Sequence, residues 1–211
     1  MAVISYGELG LEKEGFKLKK KQLANVYLDG TSDEILNRFT RSTRQEIQQT
    51  FNNPDLAIKI NDANFDEVYR LYKNFETAQG RKPWDRASFE GVINFNAYYK
   101  GELIACVPCY DLFPYLQIRA IFSKRLSLGG QDKALYKLIG SATRRLIFEI
   151  CKYGNGRNYE FVGLGSVNYS TEQKSNVADF KMFFAPRLGD EYTYTYKSPR
   201  FLFLENIRKY F

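Results

Sequence analysis

The spacing of apolar and polar positions along the chain predicts helices and strands in a mixed order. Apolar strand-like runs at 95–99 and 102–110 flank Lys100-Gly101, which is typical of a tight hairpin turn, and a third run follows at 115–122. The strongest helical pattern covers 132–153, with apolar residues on one face at Leu135, Leu138, Ile139, Ala142, Leu146 and Ile150. This order predicts an α/β (α+β) fold, a mixed and mainly antiparallel twisted sheet with flanking helices.

Weaker patterns fill the remainder of the chain. They predict strands at 22–28, 56–60, 159–164 and 192–197, and helices at 33–51, 64–80, 87–94 and 177–184. Residues 1–22 are predicted to be a basic leader, either a poorly ordered arm or an edge strand, and residues 201–211 a terminal helix or tail. Since no repeat or linker interrupts the pattern, we expect one domain over 1–211 with its fold at 22–200.

The absence of histidine from all 211 residues restricts the chemistry. It excludes a Ser-His-Asp triad, a Cys-His dyad and any metal held by histidine of this chain. A general base must then be a carboxylate, tyrosine, lysine, chain terminus or relayed water. Cys106 and Cys109 form a C-x-x-C inside an apolar run, and only Cys151 could join them, so we expect buried core cysteines and no metal site.

The chain carries a formal net charge of +7, which attracts polyanions such as nucleotides, phosphates, nucleic acid or anionic head groups. A solvated basic surface is the plainer explanation of the same charge. No apolar run approaches the roughly 20 residues that span a bilayer, and the N-terminus lacks the pattern of a signal peptide. We therefore expect a cytoplasmic protein, with peripheral association at a membrane as an option.

Four stretches of the chain, within about 22–200, carry a resemblance to a known family. They are Val26–Ile47, Phe65–Tyr72, the Arg125-Leu126-Ser127 loop with its helix and Tyr159–Gly165, and Phe180-Lys181 with Phe183-Phe184 before the Tyr192–Tyr196 strand. In this order they resemble the GNAT superfamily of acyltransferases, on its FemAB-like branch. The resemblance implies a GNAT-like fold.

The same resemblance implies an N-acyltransferase that holds no cofactor permanently. The donor would be acyl-CoA as co-substrate, or an aminoacyl group from tRNA, and the acceptor an amine on a sugar or cell-envelope precursor, phosphate-bearing or lipid-linked. FemAB proteins that use tRNA commonly carry two tandem GNAT domains, so a single domain favours a thioester donor. Two alternatives stay open: a nucleic-acid-binding module, and an inactive GNAT-like subunit that binds a partner.

The loop before the strongest helix has the composition of a phosphate site. Arg125 supplies charge, Gly129 and Gly130 allow close backbone approach, and the helix N-terminus that follows offers free N–H groups; Ser127 lies in the same loop. The residues alone favour a plain strand-to-helix connection, whereas the resemblance favours binding of the donor.

Three residues are candidates for the chemistry. Glu160 and Asp111 are the carboxylates expected to act as general base, Glu160 first because an inward carboxylate on a central strand is costly without a function. Asp111 falls at a predicted turn, where aspartate is common for local reasons. Lys181 matches the family's Phe-Lys step and would bind a phosphate or stabilise the oxyanion of a tetrahedral intermediate.

Four further residues are candidates for binding the acceptor. Arg38, Arg41 and Arg44 recur every three residues and could face a phosphate-bearing acceptor, although a solvated helix face is the simpler explanation. Tyr169 follows the Gly-Leu-Gly strand in the region where the GNAT fold often places a tyrosine near the leaving thiol.

Overall fold

The computed structural model describes residues 2–7, 16–62, 65–128 and 132–199. In this part of the chain there are nine strands and five α-helices. In chain order they are β1 (Ala2–Gly7), β2 (Lys17–Tyr27), α1 (Ser32–Arg38), α2 (Arg41–Phe51), β3 (Leu56–Ile60), α3 (Phe65–Ala78), β4 (Val92–Tyr99), β5 (Glu102–Leu112), β6 (Tyr115–Ile118), β7 (Phe122–Ser123), α4 (Lys133–Asn155), β8 (Phe161–Val167), α5 (Glu172–Met182) and β9 (Arg187–Lys197).

All nine strands belong to one sheet in the order β1-β9-β2-β8-β6-β5-β4-β3, with β7 paired beside β5. Every neighbouring pair is antiparallel except β6 and β8, which run parallel. The structure thus confirms a mixed, mainly antiparallel sheet with flanking helices. Because α4 connects the two parallel strands, it crosses over one face of the sheet.

Helix α4 supplies much of the larger core. Asp132 caps its start by accepting a hydrogen bond from the Leu135 backbone N–H at 2.9 Å. Its apolar face packs with residues of β2, β5, β6 and β8, and includes Ile139, Leu146 and Ile150 at 0% exposure. The predicted helix over 132–153 is confirmed almost to the residue, because its long apolar stripe is buried along its whole length.

A second core lies on the other face of the sheet, under α3. Val68, Leu71 and Tyr72 of α3 pack there with residues of β4, β5 and β7. The two cysteines of the C-x-x-C fall on opposite sides of β5, Cys106 in this core and Cys109 in the α4 core. All three cysteines are free and buried, and burial raises the pKa of each thiol, as expected of core residues.

The helix predicted over 33–51 is wrong, because it is two helices that meet at Phe39-Thr40. A tertiary contact makes the break: the Thr40 N–H donates to the carbonyl of Phe183 at 2.9 Å instead of to its own helix. Phe39 turns into the core at 1% exposure. Arg44 then donates to the free carbonyl of Phe39 at 2.6 Å, which satisfies the end of α1.

Two other element predictions need correction. In its described residues the leader is part of the sheet: β1 (Ala2–Gly7) is the edge strand beside β9, whereas β2 begins at Lys17 and lies in the interior between β9 and β8. The helix predicted at 87–94 is a short 3-10 turn, Arg86–Phe89, followed by β4, whose Val92 pairs with Tyr110. The predicted tail at 201–211 lies outside the described residues. In the described ranges, no helix has the length and apolarity required to cross a bilayer.

Candidate functional site

The two parallel strands separate from each other near the middle of the sheet. β6 and β8 pair over three positions, which end at Gln117 and Gly163, whereas β8 continues to Val167 beside β2. The Gln117 side-chain amide donates to the carbonyls of Gly163 and Ile118, both at 3.0 Å. A side chain thus makes the last bond between the strands, and beyond it lies a gap that we call the strand split.

Two glycines of β8 shape the strand split. A Cβ at Gly163 would overlap the side-chain oxygen of Gln117. Gly165 has φ of +81° at the bulge where β8 gains one residue over β2, a conformation that favours glycine. The Cβ position of Gly165 lies 3.6 Å from Lys181 Nζ and 4.0 Å from Gln117 Nε2. Both nitrogens therefore reach the same small volume of the split.

Lys181 extends from the end of α5 to this point. Its ammonium donates to the carbonyl of Ser166 at 2.6 Å. In the described part of the chain no carboxylate lies within ion-pair distance of Nζ. Burial lowers the Lys181 pKa. A half-buried cation with spare donors is suited to stabilise negative charge that develops next to it.

A second cationic feature lies on the α4 side of the sheet. The guanidinium groups of Arg125 and Arg144 both approach Gly140, each about 3.5 Å from where its Cβ would be. Arg125 lies over the Tyr136 ring, 3.9 Å from the centroid. We call these two residues the arginine pair.

The arginine pair carries more positive than negative charge. Its ion-pair partner in the described chain is Glu46, 3.1 Å from Arg144. Burial is the main cause of a lowered pKa for Arg144. The Nε atoms of both arginines are buried without a hydrogen-bond partner. Two adjacent guanidinium groups, of which one is paired with a carboxylate, suit a site for a second oxyanion, such as a phosphate.

Helix α5 connects the strand split to the arginine pair. Phe180 of α5 and Phe183, which caps its end, lie against the Arg144 guanidinium, 5.6 and 5.9 Å from the ring centroids. Lys181 lies between them in sequence and reaches the split. The Phe-Lys and Phe-Phe steps noted in the sequence thus join the two cationic features.

The predicted donor loop is only partly described. Arg125 and Ser127 lie in a 3-10 turn, Lys124–Leu128, and the Ser127 hydroxyl donates to the Lys124 carbonyl at 2.7 Å. Gly129 and Gly130 lie outside the described residues. Of the predicted donor-binding residues that the structure describes, Arg125 is therefore the one that lies beside another cation, Arg144.

The two predicted carboxylates lie at the other end of the parallel strands. Glu160 is exposed and precedes β8, so the expectation of an inward carboxylate on a strand is wrong. Its backbone N–H donates to the Pro114 carbonyl at 2.8 Å. Asp111 is exposed and accepts a hydrogen bond from the Tyr159 hydroxyl at 2.7 Å. At about 3.3 Å per residue, Glu160 is about 16 Å along the strand from Gly165.

The predicted acceptor residues do not form one group. Arg38 ends α1 and binds Asp29 at 2.6 Å, and this hydrogen bond is the first cause of the lowered Asp29 pKa. Arg44 donates hydrogen bonds to backbone carbonyls at the end of α1, and Arg41 is exposed at the start of α2. Tyr169 is 58% exposed and follows the end of β8, at the same end as the strand split.

Sequence reasoning missed Gln117 and Arg144. Gln117 is a polar residue in an otherwise apolar and aromatic strand, which was a weak local signal. Arg144 lies in the middle of α4, next to Arg145, and nothing local distinguishes the two. Their roles depend on the parallel pairing of β6 with β8 and on the position of α5, both of which are tertiary features.

No family model and no curated protein matches the sequence. Solved structures match the fold. FemX superposes with a TM-score of 0.68 at 10% identity, over 95% of this chain and 67% of that one. The fold is GNAT-like.

Two further solved structures share this GNAT-like fold. The C-terminal domain of an assigned lysylphosphatidylglycerol synthetase from Agrobacterium fabrum superposes with a TM-score of 0.61 at 13% identity, over 87% of this chain and 63% of that one. L-PGS from Bacillus licheniformis superposes with a TM-score of 0.57 at 15% identity, over 92% of this chain and 66% of that one. The chain thus spans slightly less than two thirds of both structures, and the likeness concerns the fold alone.

Proposed function

We propose that this protein is an N-acyltransferase that moves an acyl or aminoacyl group from an activated donor to an amine. One observation carries the proposal: the Lys181 ammonium, half-buried and without an acid partner in the described part of the chain, points at a split between parallel strands of a GNAT-like sheet. A reacting carbonyl placed at the split would lie beside a fixed positive charge.

In the proposed step, the lone pair of the acceptor amine attacks the donor carbonyl and forms a C–N bond. The carbonyl π electrons move onto oxygen, and Lys181 donates a hydrogen bond to the resulting oxyanion. Collapse of the tetrahedral intermediate breaks the bond to the thiol or hydroxyl leaving group. The proton lost by the amine leaves through a relayed water, because Glu160 and Asp111 lie at the other end of the strands.

The proposed donor is an acyl-CoA, whose phosphates the arginine pair would bind on the α4 side. Both guanidinium groups face the same point near Gly140, and Glu46 neutralises only one of them. An aminoacyl-tRNA also presents phosphates and is the alternative donor.

The proposed acceptor is an amine on a phosphate-bearing or lipid-linked sugar or cell-envelope precursor. The net charge of +7 favours such an anion. The name of one structural neighbour, a lysylphosphatidylglycerol synthetase, refers to a phospholipid. Association with a membrane surface belongs to the same proposal.

Binding of CoA tests the donor directly. At a concentration of 100 times Kd, CoA or acetyl-CoA should stabilise the protein by about 2.7 kcal/mol. For a chain of this size, that raises Tm by about 5–10 °C. Arg125→Gln should weaken CoA binding by about tenfold to a hundredfold, since a hydrogen bond to a charged group contributes about 1.5–3 kcal/mol.

Arg157→Gln is the matched control, since Arg157 also stacks on a tyrosine ring, 3.7 Å from Tyr153, but at the far end of α4. It should leave CoA binding unchanged. If neither CoA nor acetyl-CoA raises Tm while uncharged tRNA does, the thioester donor is wrong. If oligonucleotides of any sequence bind equally well, with a steep dependence on salt, the protein is instead a nucleic-acid-binding module.

A further inference from the structure

A further cation, Arg119, lies just beyond the strand split, on the face of the sheet opposite α4. It follows the last residue of β6, and its backbone N–H donates to the Pro108 carbonyl at 2.9 Å. Leu116 and Ile118 face the α4 core, so Gln117 and Arg119 point to the α3 side. Arg119 thus shares a face with the amide that closes the split.

Three aromatic rings surround the Arg119 guanidinium. Its Cζ lies 4.2 Å from the ring centroid of Trp84, 5.2 Å from Tyr110 and 5.4 Å from Phe89. Stacking on rings holds the planar guanidinium in one orientation and leaves its edge free to donate hydrogen bonds. We call these four residues the arginine cage.

The loop that carries Trp84 is fixed to α3 by two tyrosines. The Trp84 N–H donates to the Tyr72 hydroxyl at 3.1 Å, and the Tyr69 hydroxyl donates to the Trp84 carbonyl at 3.0 Å. Trp84 nevertheless keeps 47% of its surface exposed. The arginine cage is therefore preformed and open to solvent.

Among the described residues, Arg119 has no acid partner for its charge. In the described chain no carboxylate lies within ion-pair distance of it, and its buried Nε has no hydrogen-bond partner. Arg86 on the same face offers a contrast, because it lies over the Phe65 ring but pairs with Asp66 at 2.6 Å. An oriented, unpaired guanidinium fork matches the geometry of a phosphate or carboxylate.

We propose that the arginine cage binds an oxyanion of the acceptor, and that Arg119 therefore determines which acceptors the protein accepts. The proposal rests on the proposed transfer and extends it to the second substrate. The arginine pair lies on the α4 face and Arg119 on the α3 face, so donor and acceptor would approach the strand split from opposite sides of the sheet.

The fluorescence of Trp84, the only tryptophan of the chain, tests this proposal. Inorganic phosphate, glycerol 3-phosphate and acetate are each titrated at constant ionic strength. We expect a saturable change in emission, because an anion on Arg119 alters the charge stacked on the indole ring. Arg119→Gln should weaken this binding about tenfold or more, and Arg119→Lys should weaken it too, since lysine lacks the planar fork.

Arg86→Gln is the control on the same face and should bind like the wild type. A response to inorganic phosphate and glycerol 3-phosphate but not to acetate indicates a phosphorylated acceptor. A response to acetate alone indicates an acceptor with a carboxylate, and either result supports an oxyanion site. A change in emission that never saturates, or an equal loss in Arg86→Gln, overturns the proposal. This assay involves no acyl transfer, and the CoA shift does not involve Arg119, so the two proposals can fail separately.

Discussion

Replacing Lys181 by methionine separates a catalytic cation from a structural one. Methionine keeps an unbranched stem of similar volume and removes the ammonium. The change loses one hydrogen bond from a charged donor to the Ser166 carbonyl, which contributes about 1.5–3 kcal/mol. It also removes the cost of burying a cation without an acid partner, the effect that lowers the Lys181 pKa.

These two effects oppose each other, so the free energy of unfolding should change by no more than about 1 kcal/mol. In a domain of this size that moves Tm by at most about 4 °C. Turnover should fall much further, by about 10²- to 10³-fold, as when one donor to an oxyanion is removed. Release of CoA thiol from acetyl-CoA in the presence of a panel of amines measures this turnover, and thermal unfolding measures stability.

Lys174→Met is the matched control on the same helix. Lys174 is exposed and donates to the Ser170 hydroxyl at 3.1 Å, so its loss should leave both turnover and Tm near the wild type. Two results would refute the reasoning for Lys181. A folded Lys181→Met protein with wild-type turnover shows that the cation has no catalytic role, and a loss of more than about 2 kcal/mol shows that it is structural.

Two predictions concern the remainder of the fold. Gly154→Ala should lower Tm, since the new methyl would lie 2.7 Å from Leu28 Cδ1, and overpacking costs about 1–3 kcal/mol whereas the better helix propensity of alanine returns only about 1 kcal/mol. Gly156→Ala is the control and should not lower Tm, because its nearest contact would be at 3.5 Å. Equal values of Tm for the two variants would contradict this packing. The Tyr159 pKa is raised to about 12, first by its hydrogen bond to Asp111. The contribution of this hydrogen bond to the stability of the fold is therefore complete below the tyrosine pKa of the unfolded chain, near 10, and is lost as pH rises towards 12. A 295 nm titration against Tyr159→Phe should show a midpoint near 12 that Asp111→Asn lowers, and no change in Asp111→Asn would show that the hydrogen bond is not the cause.

Elements governed by local sequence could be predicted, and those fixed by distant contacts could not. Helix α4 carries its own cap and apolar stripe, and the hairpin of β4 and β5 carries its own turn, so both follow from short windows. The break at Thr40 depends on a carbonyl more than 140 residues away, at Phe183, and no glycine or proline marks it. Residues 87–94 were mistaken for a helix because they combine a 3-10 turn with the start of β4, and this start is defined by its pairing with β5, which a short window of sequence does not show.

The same distinction applies to the candidate site. Lys181 and Arg125 were identified because a family pattern placed them, and the structure shows both as cations with unused donors. Glu160 was preferred for a supposed place on a buried strand, and a difference of two residues in the start of β8 removes that argument. Arg119 was missed since its cage combines Tyr110 of β5, Phe89 of the 3-10 turn and Trp84 of the preceding loop, which are brought together only by folding.

The position of β2 has a consequence for the order in which the chain can fold during synthesis. β2 lies in the interior of the sheet, but its partners β8 and β9 come about 140 to 180 residues later, as in the pairs Asn25–Gly163 and Lys17–Thr195. At about 5–20 residues per second, a ribosome needs roughly 7–28 s to make the first of them. Through that time β2 waits with both edges unpaired, and its lysines at 17, 19, 20 and 21 are the kind of charge that keeps such an edge from joining another chain.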